Sequence, residues 1–427
     1  MKAQEFLRTS TRLIAAIAVV LLASAAFAIT PKESVLYRFK GGSDGATPSA
    51  SLVEDSAHNL YGTTTSGGTS NLGTVFEVSP PGTAWTESVL YNFAGGNDGA
   101  NPYGNLIFDK AGNLYGTTVA GGTSANCTGG CGTIFELSPP AAQGDPWTET
   151  VLYSFTGQSD GANPSSGLIM DSKGNLYGTT PTGGQANCGA TTCGTVFELT
   201  PPAAQGDPWT ETVLHAFGKG SNGGDGSHPM AGLTFGLHGA IFGTTPTGNG
   251  KAASGIVFKL KPPATQGGSW TEGVLYRFTG GSDGSGPNAP LVVDKTGNLY
   301  GTTFGGGTGF GTVFEIAFGT WTETVLYNFT GGTDGTSPAA RLLLDKTGNL
   351  YGTATSGGTN NNGSAFELSP PATQGDPWTE TTLYDFAGGH DGSLPQAGLT
   401  FGKGGQLYGT TSLGGGPKDG TVFRITH

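Results

Sequence analysis

Acidic side chains recur in this sequence at positions that invite chemistry. The Asp of a D-G-x-x-P motif stands at Asp44, Asp98, Asp160, Asp225, Asp283, Asp334 and Asp391, each four residues before a Pro. Seven carboxylates in loops could ligate calcium, but each loop offers one obvious carboxylate where a calcium site takes about 6 to 8 oxygens. The residue types fit a turn better: Asp bonds backbone amides, Gly takes positive φ, and Pro fixes the entry to the next strand. Glu136 and Glu149 form a pair of acids of the kind a glycosidase uses. Other segments carry the same acids, so a solvated or sheet-pairing role is expected for them. Gly41-Gly42-Ser43-Asp44-Gly45 matches the G-x-S-x-G nucleophile pattern, as do the segments around Ser159 and Ser282. The equivalent positions hold Asn97, Gly224, Thr333 and His390, so the match follows from the repeat rather than from a nucleophile elbow. The six His residues form no metal-ligand spacing. No catalytic residue, metal or cofactor is assigned.

The elements that must position these side chains follow from the period. The Tyr of V-L-Y-x-F stands at Tyr37, Tyr91, Tyr153, Tyr276, Tyr327 and Tyr384, with His215 in its place once. A fixed period turns a Gly-rich sequence into a repeated supersecondary unit. Each period holds four short runs rich in β-branched and aromatic residues, separated by turn chemistry. In the second unit these are residues 106–109, 113–118 (N-L-Y-G-T-T), 132–137 (G-T-I-F-E-L) and 147–155 (W-T-E-T-V-L-Y-S-F). Four strands in 50 to 60 residues describe a propeller blade. No segment carries a helical apolar stripe.

The second-strand aromatic and the third-strand Phe each occur seven times, but the Trp that opens the outer strand occurs six times. The last unit stops at three strands, and an orphan outer strand, E-S-V-L-Y-R-F, lies near the start. The fold class expected is therefore all-β: a seven-bladed β-propeller of four-stranded blades, closed by the N-terminal strand completing the last blade. The blades fall at about 49–93, 105–155, 167–217, 232–278, 290–329, 341–386 and 398–427 plus 34–39, in one domain over 29–427.

Residues 1–28 read as a secretory signal peptide: Lys2, Arg8 and Arg12 precede an apolar run and the small-residue triplet Ala26-Phe27-Ala28. An uncleaved N-terminal anchor is the competing reading. The apolar run covers about half of the ~20 residues a bilayer span needs. The whole chain has 19 basic and 31 acidic residues. Without the first 28 residues the net charge is −14, and no basic run is present to bind nucleic acid. Cys127 and Cys131 occupy one loop of blade 2, and Cys188 and Cys193 the same loop of blade 3. In an oxidising compartment these make two local disulfides; zinc held by four thiolates and bridges between blades are the alternatives. The Trp and Tyr series could stack on sugars, but their regular spacing fits blade packing.

The motifs D-G-x-x-P, G-N-L-Y-G-T-T, G-T-V-F-E-L and W-T-E-x-V-L-Y-x-F resemble the GloVer tandem repeat of exported bacterial "choice-of-anchor" proteins. The resemblance covers essentially all of residues 29–427. It implies an exported repeat protein and supplies no catalytic residue. Residues 417–427 lack the apolar tail and basic stop of an anchored member, so no membrane association is expected after cleavage.

The function expected is a noncatalytic ligand-binding or interaction scaffold of the cell envelope or extracellular space. It would act as a monomer on a glycan or envelope protein, with no nucleic-acid partner. A propeller enzyme acting on polysaccharide, a lyase or glycosidase, is the alternative. Blade 4 departs furthest from the repeat: its connector from His215 to Asp225 is ten residues long where the others are seven. Lys219, Ser221, Asn222, His228 and Lys251 are the candidate ligand-binding residues there, for an acidic ligand such as a uronate-bearing glycan.

Overall fold

The computed structural model describes residues 31–427 apart from 81–83, 143, 185–186, 189–190, 205, 219–223, 249–252, 266, 374 and 417. The side chains of Asn187, Cys188 and Thr191 also fall outside the description. The expected signal segment, and with it the choice between cleaved signal and anchor, lies outside the described residues. So do four of the five candidate ligand-binding residues: Lys219, Ser221, Asn222 and Lys251.

Seven antiparallel four-stranded blades stand in a ring, a seven-bladed β-propeller. Among the described residues there is no α-helix, only three short 3₁₀ turns, and none is long and apolar enough to cross a membrane. Blade 2 shows the pattern with Ile107–Phe108, Leu114–Ala120, Thr133–Ser138 and Thr148–Ser154 as first to fourth strands. The first strand is shorter than the sequence pattern suggests because its backbone turns to neighbouring blades. The Ser51 amide donates to Asn105 Oδ1 at 2.7 Å, and the Leu52 carbonyl accepts from Thr400 Oγ1 at 2.5 Å.

The ring closes by strand exchange. Lys32–Arg38 pairs antiparallel with Thr421–Thr426, with Glu33 opposite Ile425 and Val35 opposite Phe423. It is the fourth strand of blade 7. Every third–fourth strand pair, this one included, carries one register shift, as between Val75 and Phe76. Such bulges raise the local twist that each blade needs to fan outward.

Burial follows from packing blade on blade. The second strands are buried on both faces, as in Leu60–Ser66. Seven apolar clusters, one per seam, divide the core. At each seam the Phe that ends one outer strand meets the third-strand Phe of the next blade edge to face. Phe39 meets Phe76 at 5.0 Å between ring centroids and Phe155 meets Phe197 at 5.2 Å. Such pairs contribute about 0.5–1.5 kcal/mol beyond area burial. The Phe also explains the repeated Gly of L-Y-G-T-T: a Cβ on Gly178 would lie 2.6 Å from Phe197 Cζ and 2.9 Å from Leu168 Cδ2.

Candidate functional site

The seven D-G-x-x-P aspartates close the connectors between blades. Asp44 accepts from the Tyr37 hydroxyl at 2.7 Å and from the Lys40 amide at 2.6 Å. Asp160 accepts from Tyr153 at 3.0 Å and from the Thr156 amide at 2.7 Å. Asp98, Asp283, Asp334 and Asp391 hold Tyr91, Tyr276, Tyr327 and Tyr384 in the same way. In blade 4 the His215 ring nitrogen lies 3.3 Å from Asp225. One role served seven times accounts for the motif without a ligand.

Against each latch lies the outer-strand Glu of the next blade. Burial, then its hydrogen bond and charge repulsion with Asp44, push the Glu87 carboxyl up to about 8. Burial and Asp160 push Glu211 up to about 8, and burial and Asp98 push Glu149 up to about 7. Glu33, Glu272, Glu323 and Glu380 are raised beside Asp391, Asp225, Asp283 and Asp334, burial leading in each. In six of the seven, all but Glu380, Oε1 is buried without a hydrogen-bond partner among the described residues. A protonated carboxyl satisfies such a site, since it can donate to the neighbouring Asp. Seven outer-strand Glu carboxyls, each with a raised pKa, thus stand beside the seven latch aspartates as a ring around the molecule.

Glu136 and Glu149 do not converge. Glu149 lies opposite Leu137 in the antiparallel ladder, so Glu136, one residue before Leu137, points to the other face of the sheet. Glu136 accepts from Ser138 at 2.9 Å and pairs in register with Tyr115. The Gly42–Asp44 turn around Ser43 leads into the extended Ala46–Pro48 rather than a helix, so it is no nucleophile elbow. Trp residues pack on the second-strand aromatics of the preceding blade, as Trp147 does on Tyr61 at 6.3 Å.

Cys127 and Cys131 form a disulfide. Cys193 is also disulfide-bonded and 1% exposed, while the side chain of Cys188, its expected partner, is outside the description. His228 is the one candidate ligand-binding residue described. It takes the left-handed corner shared with Asn101, Asn163 and Ser337, at φ 56°, and its amide donates to the Cys193 carbonyl at 2.8 Å. Burial lowers its pKa. Its Nδ1 lies 3.1 Å from Ser227 Oγ and 3.4 Å from Thr247 Oγ1.

Two further breaks in the repeat lie on the opposite face, where first and second strands join. In blade 1, Tyr61 donates to Asp55 at 3.0 Å and Glu77 stands opposite Tyr61 in register. Blades 2, 3, 5 and 6 keep the same Asp, Tyr and Glu. Blade 4 has Phe242 opposite Lys259, whose ammonium lies 5.8 Å from the Phe242 ring and 5.4 Å from Trp321. Blade 7 has Arg424 in the Glu position.

The departure that sequence reading missed lies at the axis. The first strands enclose a central cavity of about 810 Å³, opening on the hairpin face. A smaller space of about 100 Å³ continues toward the connector face. Among the lining residues only Glu54 and Arg341 carry charge. Glu54 Oε1 lies 2.8 Å from His58 Nδ1. Arg341 borders both spaces, at the position filled elsewhere in the ring by Ser51, Asn105, Gly167, Gly232, Pro290 and Gly398. Its side chain is exposed to the lumen, yet burial lowers its pKa. The two agree if the guanidinium reaches water only along a narrow channel. Among the described residues it has no ion-pair or hydrogen-bond partner.

Similarity to solved structures is of fold. An ulvan lyase of a new polysaccharide lyase family is 10% identical, with a TM-score of 0.55 over 92% of this chain and 95% of that one. A provisional 6-phosphogluconolactonase of Bacteroides fragilis is 17% identical over 82% and 86%, with a TM-score of 0.49. A Dyadobacter fermentans protein of unknown function is 13% identical over 93% and 99%, with a TM-score of 0.44. No curated protein sequence matches the chain. The sequence pattern of the Gloeobacter/Verrucomicrobia repeat matches residues 23–190, 123–289 and 238–427, and the chain belongs to that repeat family.

Proposed function

We propose that this protein is an exported, noncatalytic binding scaffold whose ligand occupies the central channel. The observation that carries the reading is Arg341, a guanidinium without a partner among the described residues, at one of seven equivalent positions around a cavity of about 810 Å³. That volume falls within the roughly 300–1,000 Å³ of small-molecule sites. The recurring carboxyls, by contrast, serve seams. Export is supported by the signal-like residues 1–28 and by the disulfide between Cys127 and Cys131, a bond that persists in oxidising compartments.

A thermal-shift screen of residues 29–427 against glycans, carboxylates and envelope extracts tests the reading, with each stabilising compound then assayed for chemical change. A ligand at a hundred times its Kd adds about 2.7 kcal/mol to stability. The expected result is a raised melting temperature with the compound recovered intact. Turnover of any stabilising polysaccharide would overturn the noncatalytic reading.

A further inference from the structure

We propose that the central channel takes an amphiphilic monocarboxylate, its carboxylate on Arg341 and its apolar body lying along the first strands toward the hairpin-face mouth. The inference rests on the binding reading above and names the ligand class.

Three features of the lining select this chemistry. At the middle of the first strands Val53, Ile107, Ile169 and Leu343 line the cavity, and blade 5 has Val292 at the equivalent position. The two remaining positions are Thr234 and Thr400, whose hydroxyls donate to the Leu291 and Leu52 carbonyls at 2.5 Å each. Their donors are used within the ring, so the middle of the wall presents few hydrogen-bond donors to a polyhydroxylated ligand. An apolar chain loses nothing there and leaves water.

Arg341 supplies the head group's partner. A guanidinium presents donors in a planar fork that matches a carboxylate with two parallel hydrogen bonds. The equivalent position in blade 7 is Gly398, packed so closely that a Cβ would come within 2.8 Å of the Arg341 carbonyl oxygen, so no side chain from that position covers the guanidinium. The guanidinium stands inside the ring, where partial desolvation lowers its pKa and an anion's charge is matched more strongly than in open water.

Charge and shape limit the ligand further. The chain carries a formal net charge of −12, and Glu54 stands at the wide mouth. A polyanion is repelled by that field, whereas a single negative charge can be matched by one Arg. The connector-side space is narrower, and the Tyr103 hydroxyl reaches Gln396 Oε1 across its mouth at 3.5 Å. Entry is therefore from the hairpin face, with the carboxylate leading and the apolar tail behind it.

The test is isothermal titration of residues 29–427 at neutral pH with dodecanoate below its micellar concentration. Dodecyltrimethylammonium serves as the same tail with opposite charge, and glucuronate as a carboxylate without a tail. The expected result is one dodecanoate per chain, weaker binding of both controls, and at least a tenfold loss in Arg341→Gln. Arg341→Lys should recover part of that loss, because it keeps the charge and gives up the fork. Melting curves separate folding from binding: Arg341→Gln removes a guanidinium that has no partner among the described residues and should melt no lower than the parent. Dodecanoate binding that is absent, unchanged in Arg341→Gln, or matched by the ammonium would overturn the proposal. In each of those cases a different ligand that raises the melting temperature without turnover would leave the scaffold reading standing.

Discussion

At the scale of single residues, repetition separates the side chains that hold the ring from those that distinguish one blade. Asp160 is 7% exposed and accepts from Tyr153, the Thr156 amide and hydroxyl, and the Gln158 amide. Asp160→Ala strands several donors in a half-dry connector and is expected to cost about 1–3 kcal/mol. Tyr153→Phe removes one neutral donor and should cost about 0.5–1.5 kcal/mol. Urea denaturation of the two variants gives the order, and a Tyr153→Phe loss exceeding that of Asp160→Ala would refute the latch. The Asp role was legible in the sequence because Asp, Gly and Pro at fixed spacing specify a turn. The role of the outer-strand Glu was not. Its partner lies 43 residues away for Glu87 and Asp44, on a connector reached only after a blade has folded, and a pattern read within one repeat cannot show it.

At the scale of strands, the count of seven third-strand Phe residues against six Trp-led outer strands foretold the closure, and Lys32–Arg38 fills the vacancy in blade 7. Lengths were less legible. Residues 106–109 read as a strand by composition, yet only Ile107–Phe108 pairs within its own blade, because near the axis backbone groups bond to neighbouring blades. Deleting residues 29–39 should expose the edge of Thr421–Thr426 and remove Phe39 from its contact with Phe76. Loss of a buried Phe costs about 3–5 kcal/mol by itself, and the freed edge adds the lost ladder. Circular dichroism melts of the full and shortened chains should differ by many degrees and in cooperativity. Equal melting temperatures would show that the exchanged strand does not hold the ring shut.

At the scale of the whole molecule, ring closure brings together groups that the linear sequence keeps apart. Arg341 stands where the repeat elsewhere shows Ser, Asn, Gly or Pro, so no motif marks it; only the convergence of seven first strands makes it the positive charge of the channel. The carboxyl ring is a second product of closure, and it sets the pH dependence of stability. An unfolded Glu releases its proton near its ordinary value of 4.5, whereas Glu33, Glu149, Glu323 and Glu380 hold theirs to about 7 and Glu87 and Glu211 to about 8. Between those limits the folded chain binds more protons, so stability falls as pH rises. The contribution is fully present below 4.5 and is lost as pH climbs through 7 to 8. Lys40 beside Glu87, Arg38 beside Glu33, and His215 and Arg277 beside Glu272 moderate the effect without reversing it. Four groups with lowered pKa, Asp283, Asp294, Asp345 and His228, have the other sign. Burial alone would raise Asp283, but hydrogen bonds from Thr279 and Tyr276 outweigh it and lower its pKa, so its stabilisation is lost as pH falls below the ordinary Asp range. His228, lowered by burial, likewise favours the fold above its ordinary value of 6.5. Seven raised carboxyls against one such His leave the downward trend dominant between pH 5 and 8. Melting temperatures at those two pH values and matched ionic strength should therefore be higher at pH 5. The difference should shrink in a Glu87→Gln, Glu211→Gln double variant, in which the amides cannot ionise. A melting temperature at pH 8 equal to or above that at pH 5 would mean that the outer-strand Glu carboxyls do not hold their protons in the folded ring.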